Sequence, residues 1–478
     1  MDILLLTTVS GLVFQRSLGA YQLAHNCRQH GFSCQVIDFI QDFSEQELYD
    51  TAKQFVSTDT LCLGISTSFF NEFKMMVDNK SVLPLSIPEN VSNVCIRLKK
   101  EFPKLRICLG GAKALHGVDY VWVDDIFQGY SEDQFLKYCE NLKKGKTDKF
   151  IKTVSGKKIY DKQNSSFDIQ SLNHKFLLED CILEKEVLPI EISRGCIFKC
   201  KFCAFPLNGK RKLDYLRDIE QIKEELEYNY KHFGTTRYFF NDDTLNDSVF
   251  KIEELHKVIT SLPFKIEFSC WMRLDLLYKN PETINMLKEM GLSTVFFGIE
   301  SFRQDTLKII GKSLKPEIVK QFLIDLYNVH WNKDVSIFLG MIVGLPHETE
   351  EDIFNSVSWL KETPFSFHFE PLRLKDSGGT YYQSDFEKNY NKYGYTVKDD
   401  VWCNDVMTQH TAERIASIIN TEYAYGKNKP SGSYLFAILN HFELDEIKDL
   451  TIKDISYKKL YSSRKKLISK YKEKIKRL

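Results

Sequence analysis

Residues 192–206 read Ile192-Ser193-Arg194-Gly195-Cys196-Ile197-Phe198-Lys199-Cys200-Lys201-Phe202-Cys203-Ala204-Phe205-Pro206. Cys196, Cys200 and Cys203 fall in a C-x3-C-x2-C spacing. The apolar run Val187-Leu188-Pro189-Ile190-Glu191-Ile192 leads into them and predicts a buried strand. Soft thiolates this close together suit zinc or iron–sulfur chemistry. Their number is the informative part. A structural zinc site takes four protein ligands, and no fourth Cys or His stands close by. Three thiolates on a [4Fe–4S] cluster leave one iron open to a small chelating ligand. Two plainer readings remain: unpaired buried cysteines, or a zinc ion whose fourth ligand comes from elsewhere.

Downstream, a strand followed by an amphipathic helix repeats about six times. A helix is predicted at about 216–232, with Ile219, Ile222, Leu226 and Tyr230 on one face. Strands are predicted at 237–240, 265–271, 293–299, 335–343 and about 366–372. Six such units make an open, partial (β/α)6 TIM-like barrel, where chemistry gathers at the carboxyl ends of the strands. The notable clusters all sit at such ends: Asn241-Asp242-Asp243-Thr244, Arg273, Gly298-Ile299-Glu300-Ser301 and Gly344-Leu345-Pro346-His347-Glu348-Thr349. Each also has a plain structural reading. Asn241–Thr244 can cap the helix near Ser248, Ser301 can be an N-cap, Arg273 can be a surface arginine, and Glu348 and Thr349 can open the next helix.

Taken together, over about 185–380, these residues resemble the radical S-adenosylmethionine (SAM) superfamily. Its signature is this cysteine spacing with an aromatic residue, here Phe202, before the third Cys. The resemblance implies that Cys196, Cys200 and Cys203 ligate a [4Fe–4S] cluster and that SAM chelates the open iron. Electron transfer then yields a 5′-deoxyadenosyl radical, which abstracts hydrogen from a substrate the sequence does not identify. The cofactors carry that chemistry and the protein positions them. The matching positions imply SAM contacts at Phe202, Asn241, Asp242, Asp243, Arg273, Glu300, Ser301 and Gly344. An acidic or carbonyl-bearing turn suits the methionyl ammonium, and a guanidinium suits its carboxylate. Glu300 and Ser301 would meet the ribose. Gly344, in a tight turn, would let the backbone approach the adenine. Lys312 also matches a recurrent position, with no role assigned.

Upstream, residues 1–145 predict strands at 3–7, 34–38, 61–66, 105–109 and 120–123, with helices around 18–30, 45–56 and 89–102. This alternation gives a Rossmann-like, doubly wound parallel sheet, which takes ligands beyond its strands' carboxyl ends. Small residues stand there: Ser66-Thr67-Ser68, Gly110-Gly111-Ala112 and Gly129-Tyr130-Ser131-Glu132. The domain resembles the cobalamin-binding domain that precedes the barrel in one large radical SAM class. That implies cobalamin contacts at Ser66, Thr67, Gly110, Gly111 and Gly129. The family's D-x-H-x-x-G motif is absent, and Thr7-Thr8-Val9-Ser10-Gly11 stands in its place. His25 and His30 belong to the first helix. Either cobalamin binds without a protein histidine, or the fold serves as a scaffold or substrate-docking domain.

Residues 146–187 form a connector with a small hairpin around Ser155-Gly156 and turn residues at 164–166; Cys181 reads as structural. The barrel spans 188–380, ending in a loop with Gly378-Gly379-Thr380. Residues 381–478 are a mostly helical C-terminal region, with a helix at 410–424 and a loop around Pro430 and Gly432. Trp402, Cys403 and His410 are expected in its core rather than in a pocket. Residues 458–478 hold ten basic residues and one acid on a rough stripe of Leu460, Leu467, Ile468, Tyr471, Ile475 and Leu478. A solvated helix is expected there, with RNA or a membrane surface as the second reading.

The 478 residues carry 65 Lys+Arg against 65 Asp+Glu, so net charge makes no case for nucleic acid or membrane. Twelve cysteines without a signal peptide imply a reducing cytoplasm, and no apolar run has transmembrane length. The expected partners are a substrate and an electron donor such as flavodoxin or ferredoxin. With cobalamin the resemblance implies methyl transfer; without it, a radical rearrangement, cyclisation or oxidation. A methylthiotransferase fits less well, because Cys27, Cys34, Cys62, Cys95 and Cys108 lack the spacing of an added N-terminal cluster. The reading from another class is a non-catalytic Fe–S or SAM-binding protein.

Overall fold

The computed structural model describes residues 1–9, 13–68, 70, 87–111, 114–146, 150, 152–161, 169–204, 215–312, 314–374, 383–398, 401–424, 441–442 and 457–478. The expectations at 112, 164–166, 378–380 and 430–432 lie outside them.

The first sheet contains β1 (Ile3–Leu6), β2 (Cys34–Ile37), β3 (Cys62–Ser66), β4 (Arg106–Gly111), β5 (Asp125–Gln128), β6 (Lys152–Val154) and β7 (Lys157–Asp161). Their order is β2-β1-β3-β4-β5-β7-β6, parallel except for β6. Helices α1 (Leu18–Gln29), α2 (Glu45–Lys53), α3 (Glu89–Glu101) and α4 (Glu132–Lys143) connect the strands. β1 is buried along its whole length, as a strand inside a parallel sheet must be. α2 begins with a reciprocal Ser44–Glu47 capping box. The strand order reverses between β1 and β3, where doubly wound sheets open a ligand crevice.

Two expectations change. The strand predicted at 120–123 lies instead at Asp125–Gln128. Its first residue is a buried acid, held by Arg106 at 2.7 Å and by the Tyr138 hydroxyl at 2.6 Å, so apolar patterning misses it. The hairpin assigned to the connector pairs β7 onto β5 and extends the sheet.

The second sheet is all parallel, in the order β13-β12-β11-β10-β9-β8. Its strands are β8 (Leu188–Glu191), β9 (Arg237–Asn241), β10 (Glu267–Met272), β11 (Leu292–Glu300), β12 (Ser336–Val343) and β13 (Ser366–Pro371). The intervening helices are α5 (Ile219–Phe233), α6 (Val249–Thr260), α7 (Leu274–Lys279), α8 (Glu282–Glu289), α9 (Gln304–Ile310), α10 (Pro316–Asp325) and α11 (Glu350–Lys361). On β12, Ile337, Leu339, Met341 and Val343 are buried, alternating with half-buried Phe338, Gly340 and Ile342. This is the open six-stranded half-barrel that the sequence predicts.

Beyond it come α12 (Asp385–Lys388), the hairpin β14 (Thr396–Lys398) and β15 (Val401–Cys403), α13 (Gln409–Ile418) and α14 (Tyr457–Ile475). Trp402 is core, whereas Cys403 and His410 are exposed. α14 is not a solvated helix. Its stripe of Leu460, Leu467, Ile468, Tyr471 and Ile475 is buried, and the last four pack into the core of the first sheet. Among the described residues no helix is long and apolar enough to cross a membrane.

Candidate functional site: a cavity between the two sheets

The loop after β8 turns back at Gly195 (φ 112°) and places the three cysteines at the mouth of the half-barrel. Cys196 is buried, with its Sγ 3.4 Å from Thr244 Oγ1 and accepting from the Phe198 N–H at 3.4 Å. Cys200 and Cys203 are half-buried and joined by a Cys203 N–H to Cys200 carbonyl bond of 3.1 Å. Arg273 Nη1 donates to Cys200 Sγ at 3.3 Å, and its guanidinium lies 4.1 Å from the Phe198 ring centre. Among the described residues no three His, Cys, Asp or Glu side chains converge tightly enough to hold one metal ion. In a [4Fe–4S] cluster each thiolate would take its own iron. The donor set fits: three sulfurs on one loop, one of them accepting from the Arg273 guanidinium.

A cavity of about 890 Å³ lies beside this loop. Phe202, Cys203, Ala204 and Asn241 line it from the barrel; Ser66, Ser68, Gly110, Gly111, Gly129, Tyr130 and Glu132 line it from the strand ends of the first sheet. Most of its wall is apolar, including Leu5, Leu23, Phe127 and Phe135, as ligand cavities are. Gly111 has φ 110°, and a Cβ there would stand 3.0 Å from Ser68 Oγ and 3.2 Å from Thr67 Oγ1. The bare glycine keeps this edge open. No histidine is among the described lining residues. His25 borders a separate, smaller pocket and His30 is exposed. Among the described residues, the lining is thus mostly apolar and carries no imidazole.

Of the residues the resemblance singled out, Ser66, Gly110, Gly111, Gly129, Phe202 and Asn241 line this cavity. Thr67 does not. Its hydroxyl and N–H both bond the Gly110 carbonyl, at 2.9 and 2.8 Å, tying the β3 turn to β4. Asp243 is half-buried beside the cluster loop. Burial, then neighbouring Asp242, pushes its pKa up to about 7, against a hydrogen bond from the Gly195 N–H. Arg273 reaches Cys200 but is also held bidentately by Asp275, at 2.9 and 2.7 Å. Glu300 sits at φ 71° with Lys312 Nζ 3.6 Å away. Lys312 also donates to the Gly298 carbonyl at 2.9 Å, which gives that lysine its role.

Three of the residues expected to meet SAM are engaged by protein partners. Asp242 is fully buried below the turn, accepting from Lys251 Nζ and from the Thr244 N–H, each at 2.9 Å. Ser301 is buried; its hydroxyl donates to Glu348 and accepts from the Arg303 N–H. Gly344, at φ 101°, makes room for protein: a Cβ would stand 2.5 Å from the Trp402 ring, and Tyr395 donates to its carbonyl at 2.8 Å.

Sequence reasoning passed over Arg194. It is nearly buried and bridges both sheets. Nη1 donates to Glu132 at 2.7 Å; Nε and Nη2 donate to Glu191 at 2.8 and 2.9 Å. Its guanidinium lies 4.4 Å from the Tyr130 ring centre, and Gln22 Nε2 donates to Glu191 at 2.6 Å. Burial disfavours the charge of Glu191, but Arg194 and Gln22 hold its pKa below the ordinary carboxylate value. The signal was an arginine two residues before the first cysteine, three after an acid that ends an apolar strand.

Residues 190–360 match the sequence profile of the Radical SAM superfamily, so the half-barrel is a radical SAM domain. That superfamily uses a [4Fe–4S] cluster and SAM. An uncharacterized methyltransferase of Pyrococcus horikoshii is 26% identical over 236 residues, 48% of this chain and 49% of that protein. A ribosomal protein uS12 methylthiotransferase of Carboxydothermus hydrogenoformans is 31% identical over 189 residues, 37% of this chain and 41% of that protein. The chain thus spans about half or less of these curated relatives. In fold it is similar to the cobalamin-dependent SAM radical enzyme OxsB with aqua-cobalamin bound, at TM-score 0.64 and 14% identity over 97% of this chain and 70% of that one. It is similar also to the radical SAM methyltransferase TsrM of Kitasatospora setae, at TM-score 0.60 and 15% identity over 78% and 74%.

Proposed function

We propose that this chain is a cobalamin-dependent radical SAM methyltransferase, with cobalamin in the cavity between the sheets and Cys196, Cys200 and Cys203 holding the cluster. One observation carries the reading: the strand-end crevice of the first sheet and the cluster loop open into a single cavity. The cluster would supply an electron, SAM a carbon-centred radical and a methyl group, and cobalamin the methyl carrier. The chain's residues orient and exclude water. Asn241 and Asp243 would accept from the methionyl ammonium, and Arg273 would support the cluster face through its bond to Cys200. Leu5, Leu23, Phe127 and Phe135 keep the corrin side dry. The methylthiotransferase reading gains nothing from the first sheet. Cys27, Cys34, Cys62, Cys95 and Cys108 are all buried, and Cys34 and Cys62 start their strands, at the end away from the crevice.

The test uses anaerobic, cluster-reconstituted protein with SAM, a strong reductant, and hydroxocobalamin added or omitted. Cobalamin should be retained through gel filtration, and S-adenosylhomocysteine should form only where it is. A Cys200→Ala variant should form no 5′-deoxyadenosine. Protein that retains no cobalamin yet forms deoxyadenosine would reduce the first domain to a scaffold.

A further inference from the structure

We propose that Lys251 is a positioning residue for SAM: from beneath the turn between β9 and α6 it holds that turn in the shape that offers Asn241 and Asp243 to the methionyl amino group. The inference rests on that turn being the amino-group contact. Lys251 stands in the first turn of α6 and is fully buried. An ammonium carries three N–H donors, and this one meets a single short stretch at three places. It donates to Asp242 Oδ2 at 2.9 Å and to the Thr244 carbonyl at 3.1 Å, and it pairs with Asp247 Oδ1 at 2.7 Å. Asn241 and Asp243 flank the first of these anchors. The Asp243 carboxylate accepts from the Gly195 N–H. Thr244 Oγ1 donates to the Asp243 carbonyl at 2.6 Å and stands 3.4 Å from Cys196 Sγ. The far end of the turn is tied to the site as well. The Tyr215 hydroxyl donates to Asp247 Oδ2 at 2.6 Å, and the Tyr215 carbonyl accepts from the Arg194 N–H at 2.8 Å. The Asn246 amide donates to the Arg273 carbonyl at 2.8 Å and accepts from the Arg273 N–H at 2.9 Å. One buried cation thus joins two buried carboxylates of the turn. Without it they would repel each other at a site that cannot hydrate them. A turn that must first be ordered loses that free energy from binding, whereas one already in place does not. Only a ligand with the amino group gains from the turn being in place.

The test is calorimetry on the full chain, reconstituted to equal iron content in each variant. The two ligands are SAM and its deaminated analogue, in which a carboxypropyl group replaces the aminocarboxypropyl group. The wild-type chain should bind SAM at least about tenfold more tightly than the analogue. In Lys251→Met, which keeps the length but neither charge nor donors, SAM should bind about tenfold more weakly, the scale of one charge-assisted hydrogen bond. The analogue should weaken by no more than about threefold, because it never used the contact that the lysine holds in place. A general loss of order would weaken both ligands alike. That result, or SAM affinity unchanged in the folded variant, refutes the positioning role while SAM binding by the wild-type chain stands. If the wild-type chain binds the two ligands equally, the amino-group contact itself falls and this inference with it. Should Lys251→Met fail to fold, Lys251→Met combined with Asp247→Asn decides by the same two affinities. It keeps the net charge of the buried group, since one carboxylate replaces one cation and two carboxylates.

Discussion

Arg194 and Glu348 are both buried at the barrel mouth, and their charges have opposite fates. Arg194 is compensated by two carboxylates. Truncation to Ala would leave Glu132 and Glu191 buried without their cation, at a cost of about 3–5 kcal/mol. Urea unfolding should show that loss for Arg194→Ala and a smaller one for Arg194→Lys, which keeps the charge but not the fork. Equal stability of Arg194→Ala and wild type would mean that the seam does not depend on this residue. Glu348 has the Ser301 hydroxyl on one oxygen and no described partner on the other. Burial, opposed by the Ser301 bond, pushes its pKa up to about 8. A carboxyl whose folded pKa exceeds its unfolded one keeps its proton better in the folded chain. Its effect is nil well below the unfolded value near 4.5, and it costs stability increasingly up to about pH 8. Glu348→Gln should therefore match wild type near pH 5 and exceed it near pH 8, by a few kcal/mol at most. A constant difference across that range would show that Glu348 does not titrate there.

Gly344 ends β12, and its neighbours decide what the glycine is for. Gly344→Ala should cost at least about 1–3 kcal/mol, from φ 101° and from the clash with Trp402. Adding Trp402→Leu should recover part of that in thermal unfolding, and SAM binding by calorimetry should recover with it. Stability restored without SAM affinity would return Gly344 to the adenine. The sequence located this element well: β9 to β13 fall within two residues of their predicted bounds, because apolar strands bracketed by turn residues are locally encoded. Asp125 opens β5 with a buried acid whose partners, Arg106 and Tyr138, lie elsewhere in the chain, so the strand was misplaced. The same holds at the site. The cysteines stood out by their spacing, and Gly110-Gly111 by their place at the end of β4. The Lys251 partner of Asp242, nine residues on, was not legible, because only the turn into α6 brings it beneath that carboxylate.

At the scale of the whole molecule, both ends of the chain close over the first sheet. Arg16, fully buried, pairs with Glu186 at 2.6 and 2.9 Å and donates to the Asp180 and Cys181 carbonyls at 2.9 and 3.0 Å. The Tyr471 ring of α14 lies 4.9 Å from that guanidinium, and its hydroxyl accepts from the Asp38 N–H at 2.8 Å. On the same helix, Arg464 reaches Asp42 and the Val13 carbonyl, and Lys472 reaches Glu47 at 2.9 Å. Part of the basic tail is therefore spent on intramolecular contacts, which is why a stripe that reads as an exposed helix is an internal brace. Tyr471→Ala removes a fully buried aromatic and should cost about 3–5 kcal/mol. None of these contacts involves Cys196, Cys200 or Cys203. Iron and sulfide per chain after reconstitution should therefore stay at wild-type levels in Tyr471→Ala at low temperature, while its unfolding midpoint falls and hydroxocobalamin retention weakens. A chain cut after residue 456 should lose the same properties, and more completely, because the Arg464 and Lys472 contacts go as well. Unchanged unfolding in both variants would return α14 to solvent and reopen a nucleic-acid or membrane role for its basic face.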